Sequence, residues 1–187
     1  MKAAVYYQNG GPEVLKYEDV PDPVCHPKGV VIRVEAVSIE GGDTLNRWHG
    51  PLLTKPHVVG YQAAGEIVEV GSEVTNLRVG QKVTTVYNFG SHAALRAVPA
   101  RNAWPVPKGL DIKLAAAIPV PFGTADDCLF EYGRLKAGET VLVLMVVIAW
   151  LCPSRAAGAG RRAACGPGSS RRGVMVTSFC SVADRAG

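Results

Sequence analysis

The five cysteines of this 187-residue chain include no Cys-x-x-Cys pair. An odd, scattered set argues against a disulfide framework and against a cysteine-rich structural zinc site. No run of 18 apolar residues occurs, so no membrane-spanning helix is expected. The opening residues, MKAAVYYQNG, lack the apolar core of a secretory signal. A cytoplasmic, reducing compartment is therefore expected. No internal repeat is visible. The four histidines, His26, His49, His57 and His92, show no close ligand spacing. They read as surface or structural histidines rather than metal ligands. Charged residues amount to 19%, below the usual quarter or so, which argues against wholesale disorder.

What is present divides at Val143. Residues 1–143 hold 14 basic and 15 acidic side chains. Residues 144–187 hold six arginines, no lysine and one acid, Asp184. The pI of 8.9 thus belongs to the tail, and whole-chain basicity is no argument for a nucleic-acid partner.

The first 143 residues read as short strands punctuated by glycine and proline. Residues 2–8 form an apolar run closed by Asn9-Gly10-Gly11-Pro12. Residues 14–20 follow, ended by Pro21 and Pro23. In 30–38 the residues Val30, Ile32, Val34, Ala36 and Ser38 share the drier face. Residues 63–70, 82–87 and 91–98 complete the strands, a pattern favouring a barrel or sandwich. The style changes at Leu110. Asp111 can cap a helix over 112–118, Pro119-Val120-Pro121 breaks it, and a second helix covers 124–132. The apolar triplet at 141–143 then signals a buried strand.

Three stretches, MKAAVYYQNGGPEVLKYEDVPDP, GYQAAGEIVEVGSEVTNLRVGQKV and PVPKGLDIKLAAAIPVPFGTADDCLFEYGRLKAGETVLV, come in an order that resembles the medium-chain dehydrogenase/reductase superfamily. Within it the chain is similar to the zinc-independent NADPH:quinone oxidoreductases. The resemblance covers residues 1–143. It implies a mainly β fold with some α: a GroES-like β-barrel catalytic domain over 1–110, then connecting helices and the first strand of a Rossmann domain over 111–143. Residues 144–187 form an irregular, non-family tail, expected to be disordered.

The resemblance also frames the metal question. Where zinc enzymes of the superfamily carry a Cys-His pair, this chain reads Glu40-Gly41; where they carry Gly-His-Glu, it reads Gly60-Tyr61-Gln62. Tyrosine and glutamine are poor zinc ligands, so zinc-free hydride transfer to a small quinone or activated carbonyl is expected, with no bound metal. By the same resemblance Tyr61 and Glu40 would be catalytic, Tyr61 as hydrogen-bond donor to a developing quinol oxygen and Glu40 as proton relay or partner of Arg47. Asp43, Arg47, Gln62 and Thr124 would face NADPH.

Plainer readings stand beside these. Asp43 and Arg47 have the i, i+4 spacing of a surface ion pair worth about 0.3–0.5 kcal/mol. Tyr61 alone reads as a core tyrosine and Thr124 as a helix cap. Asp126 and Asp127 read as a solvated face, and Trp48 and Trp104 as packing residues.

After Val143 the resemblance stops. The family continues with a glycine-rich turn at a helix N-terminus that binds the pyrophosphate. Here LMVVIAWLCP follows, without glycine. Gly158, Gly160 and Ala163 fit G-x-G-x-x-A, and Asp184 follows an apolar run as a ribose-binding acid would. The motif is detached from the strand, and Gly166-Pro167-Gly168 would break its helix, so it is not taken as a dinucleotide site. The tail composition suggests a frameshift, annotation error or altered splice near codon 144. The chain is accordingly expected to be inactive alone. It would associate, as a homo-oligomer or otherwise, through apolar surface around Ile118, Val120, Phe122, Leu129 and Phe130. The alternative is a non-catalytic GroES-like module that binds a protein partner.

Overall fold

The structure, a computed structural model, describes residues 1–143 and 174–176. The chain divides into two compact units, Met1–Val120 and Pro121–Gly187.

The first unit is built from two antiparallel sheets. In the smaller, β1 (Lys2–Tyr6) lies between β2 (Lys16–Asp19) and β4 (His57–Val58). In the larger, β3 (Gly29–Ser38), β5 (Gln62–Val70), β6 (Lys82–Val86), β7 (Leu95–Pro99) and β8 (Ala103–Pro105) run in the order β7-β3-β5-β6-β8. The alternation in β3 does what period-2 patterning dictates. Val30 and Ile32 are fully buried, while Arg33, Glu35 and Val37 are exposed. With Ala63, Ile67, Val83 and Val98 they form the main core.

Residues 92–94 join the two sheets. Ala4 N donates to the His92 carbonyl at 2.9 Å, Ala94 N to the Lys2 carbonyl at 2.9 Å, and Val34 N to the Ala94 carbonyl at 3.0 Å. This double duty explains a difference from the sequence reading. The strand expected over 91–98 begins only at Leu95, because the residues before it cross from one sheet to the other. The two-residue β4 and three-residue β8 are too short to leave a pattern.

The segment after β3 is a helix. α1 (Gly41–His49) starts at Glu40, whose backbone N–H donates to the Asp43 carboxylate at 2.9 Å. Its far end is held by the Asn9-Gly10 turn. Asn9 Nδ2 donates to the Asn46 and Gly50 carbonyls at 3.1 and 2.9 Å, and Gly10 N to the Arg47 carbonyl at 3.0 Å. These satisfy carbonyls that a helix end leaves without partners.

α2 (Ile112–Ala116) is capped as expected, with the Asp111 carboxylate accepting from Lys113 N at 2.7 Å. It packs Ala115 and Ala116 on Ala64, and Thr84 Oγ1 donates to the Ala115 carbonyl at 2.7 Å. The helix ends at Ala116, and Ile118–Phe122 winds as a wider turn with Pro121 inside it.

In the second unit α3 (Gly123–Asp126) runs on as a wider turn over Asp127–Tyr132. β9 (Val141–Val143) pairs in parallel with β10 (Val174–Val176), Val141 opposite Val174. Gly158, Gly160, Ala163 and Asp184 lie outside the described residues, as does the rest of the segment expected to be disordered. Ile118, Val120, Phe122, Leu129 and Phe130 are half-buried. The large exposed apolar side chains include Ile39, Leu45, Trp48 and Leu53 instead. Among the described residues no helix is long and apolar enough to cross a membrane.

Candidate active site

α1 and the first residues of β5 carry the site. Gly60 precedes β5 with φ +115°, a conformation that L side chains rarely adopt. A Cβ there would also lie 1.9 Å from Ser91 Oγ. This glycine turns the chain so that Tyr61 leaves on the side of α1.

Two side-chain contacts then tie β5 to α1. Gln62, fully buried, donates through Nε2 to the Glu40 carboxylate. Ser38 Oγ donates to the same Glu40 oxygen at 3.1 Å. The other end of Gln62 accepts from Val120 N at 2.8 Å. Tyr61 makes the second tie: its phenol oxygen accepts from Asn46 Nδ2 at 2.8 Å. Its ring lies against Gly42, where a Cβ would come within 2.5 Å of ring carbon Cε2.

Charge in the site follows burial. Glu40 has its pKa raised, mainly by burial and further by the Asp43 carboxylate, against the lowering effect of the Ser38 and Gln62 hydrogen bonds. Asp43 is 3% exposed. Its Oδ2 lies 3.7 Å from His92 Nε2. The i, i+4 pair of Asp43 with Arg47 does not form; Arg47 Nε donates to the Gly10 carbonyl at 3.3 Å. Glu40 likewise takes its hydrogen bonds from Ser38 and Gln62 rather than from Arg47.

Behind the site lies Arg96, 2% exposed. One guanidinium nitrogen faces the carbonyls of Gly60, Tyr61, Tyr87 and Phe89 at 3.3, 2.7, 3.2 and 3.1 Å, and the other donates to Thr85 Oγ1 at 3.1 Å. Burial pulls its pKa down to about 10. Tyr6 Oη, Asp43 Oδ1, Ser91 Oγ, His92 Nε2 and Arg96 Nε are buried without a hydrogen-bond partner among the described residues. His57, 2% exposed and edge-on to Tyr6 at 5.1 Å, has its pKa lowered by burial.

The structure thus places Glu40, Asp43, Arg47, Tyr61 and Gln62 on two adjoining elements of one unit. Thr124 stands on α3 of the other unit. Asn46, Ser38, Gly42 and Arg96 belong to the arrangement without having been singled out from the sequence. Arg96 had a signal, a cation in the apolar run Leu95-Arg96-Ala97-Val98. Asn46 had only its place one turn after Gly42.

The donor set suits the ring end of a nicotinamide, whose carboxamide needs both acceptor and donor: Glu40 offers the first, Tyr61 and Arg47 the second. The diphosphate end needs a backbone cradle. Residues 144–153 carry no glycine for one and lie outside the described residues.

Comparison with known proteins bears on this arrangement. Residues 26–108 match the alcohol dehydrogenase GroES-like domain. A quinone oxidoreductase from Sus scrofa is 33% identical over 147 residues, covering 76% of this chain and 45% of the relative. The chain therefore spans less than half the length of that relative. The solved quinone oxidoreductase of Pseudomonas syringae superposes with a TM-score of 0.71 at 29% identity, over 75% of this chain and 44% of that one. A mycobacterial protein solved with NADPH gives 0.70 at 29%, over 75% and 44%. The N-terminal region of this chain, with Tyr61 and Gln62 set against α1, is that of the medium-chain dehydrogenase/reductase superfamily, of its quinone oxidoreductase-like kind.

Proposed function

We propose that residues 1–143 are the substrate-side part of an NADPH-dependent, zinc-independent reductase of quinones or activated carbonyls. Residues 1–110 form its catalytic domain and 111–143 the passage to a cofactor domain. One observation carries this reading: consecutive residues Tyr61 and Gln62 both reach α1, the Tyr61 phenol bound by Asn46 and Gln62 bound to the Glu40 carboxylate at the helix start. Those side chains are engaged with protein donors and acceptors rather than arranged as a ligand set.

NADPH, when bound, supplies a hydride to the acceptor. The chain's own residues manage the proton and the geometry. Tyr61 donates a hydrogen bond to the substrate oxygen on which charge builds, as a preorganised stabiliser. Glu40, its carboxyl held toward the protonated form by burial, passes a proton toward that oxygen. Asp43 and Gln62 hold Glu40 in place, and Arg47 contacts the cofactor. A cytoplasmic location belongs to the same reading, and Cys25 and Cys128 are both free thiols.

The chain alone is expected not to turn over, since residues 144–153 carry no glycine for a phosphate-binding turn. The test joins residues 1–143 to the cofactor domain of a quinone oxidoreductase and follows NADPH consumption with 1,4-benzoquinone. Turnover is expected, falling about 100-fold in Tyr61→Phe. A folded chimera that is inactive, or one indifferent to Tyr61→Phe, would overturn the assignment.

A further inference from the structure

Gly42 and Asn46 are four residues apart on α1, so they share one helix face one turn apart. Both meet the same side chain. Gly42 supplies a surface without a Cβ, on which the Tyr61 ring rests: a methyl there would lie 2.5 Å from Cε2 and 3.1 Å from Oη. Asn46 supplies an amide N–H that reaches the phenol oxygen at 2.8 Å. The backbone beneath is fixed independently, because the Tyr61 carbonyl accepts from Arg96 at 2.7 Å and from Tyr87 N at 2.8 Å. With backbone and ring already placed, the amide is not needed to keep Tyr61 folded in. Its distinct effect is on the phenol oxygen.

We propose that Asn46 is a positioning residue for Tyr61: it fixes the direction of the phenol and, by donating to its oxygen, makes Tyr61 a stronger hydrogen-bond donor to an oxygen being reduced. A hydroxyl that accepts a hydrogen bond is polarised and donates more strongly. A donor aimed at the oxygen also favours the phenolate over the phenol. The inference rests on the reductase reading for its purpose, but the contact and its electronic consequence do not. An apolar side chain at position 46 would leave the ring seated and remove only the polarisation.

The test uses the full 187-residue chain, labelled with 13Cζ-tyrosine and titrated through the alkaline range by NMR. Tyr61→Phe identifies the Tyr61 signal among the six tyrosines. Asn46→Leu is expected to raise the Tyr61 midpoint by about one unit, a tenfold weaker acid. Asn46→Asp is isosteric and preserves packing should the leucine variant fail to fold. It is expected to raise the midpoint further, since a carboxylate then faces the phenolate. Asn46→Gln should recover part of the wild-type value. A Tyr61 midpoint that stays put in either variant, or that falls in the leucine variant, would overturn the proposal, a fall meaning that Tyr61 donates to Asn46 rather than accepting from it. The titration is independent of turnover. An inactive chimera with the expected order of midpoints would remove the reductase reading alone; an active chimera with unmoved midpoints would remove only the role of Asn46.

Discussion

The guanidinium of Arg96 holds the backbone carbonyl of Tyr61 at 2.7 Å, so a buried cation fixes the backbone from which the Tyr61 side chain departs. The same guanidinium nitrogen gathers the carbonyls of Gly60, Tyr87 and Phe89. These come from the two chain segments that flank the site. The Tyr61 and Gly60 carbonyls also accept from the backbone N–H of Tyr87 and Ser91, so the guanidinium reinforces those bonds and extends the same donor to the Tyr87 and Phe89 carbonyls.

Arg96→Met should therefore be severe. It removes the guanidinium donor to the Tyr87 and Phe89 carbonyls and to Thr85 Oγ1, at about 1–3 kcal/mol each. Urea unfolding is expected to show a loss of about 4 kcal/mol or more. Arg96→Lys, with a shorter and less forked donor set, should lose about half as much. A methionine variant as stable as the parent would show that the carbonyls find other donors.

Gly42→Ala tests the seat of Tyr61. The added methyl must push the ring or lift the helix, an overpacking of about 1–3 kcal/mol. The Tyr61 ring resonances should move while those of Tyr17 stay unchanged, since Tyr17 is 74% exposed on the smaller sheet.

Gln62→Leu removes both a donor to Glu40 and the acceptor that Val120 N–H uses at 2.8 Å. A loss of about 1–3 kcal/mol is expected in thermal or urea unfolding. The leucine should also raise the Glu40 carboxyl further, since a hydrogen bond that favours the charged form is gone. A 13C titration of the carboxyl measures this directly.

Two groups give pH dependences of opposite sign. His57 has its folded pKa lowered by burial, so the unfolded chain binds the proton first. Its contribution destabilises the fold as pH drops below 6.5, the ordinary histidine value. His57→Phe should flatten that part of the stability curve. Glu40 has its folded pKa raised, so the folded chain holds the proton longer. Its contribution weakens the fold as pH rises through 4.5 and then through the higher folded value. Glu40→Gln should gain stability relative to the parent over that window and show no relative gain below it. A constant difference across pH would show that Glu40 is not desolvated.

Much of this fold was legible because its patterns are local. The alternation in β3, the Asn9-Gly10 turn and the Asp111 cap each follow from side chains within a few residues of one another. α1 was harder. Gly41 and Gly42 weaken helix propensity and read as a loop, yet the helix forms because Asp43 caps it in front and Asn9 behind. The site residues were reached through motif order, not through periodicity. The Asn46–Tyr61 bond spans 15 residues and the Arg96–Tyr61 bond 35, and no local rule reports partners that distant. The expected Asp43–Arg47 pair failed for the converse reason: correct helical spacing permits a pair, but the Gly10 carbonyl offers Arg47 a nearer acceptor.

The junction at residues 92–94 has a consequence during synthesis. β1 is synthesised well before its partners: the backbone groups of Lys2 and Ala4 pair with His92 and Ala94. At about 5–20 residues per second, the first strand waits some seconds with apolar Val5 and Tyr6 uncovered. Closure of this barrel is therefore tied to completion of nearly the whole first unit. Nascent chains stalled before residue 94 would be the species a chaperone meets.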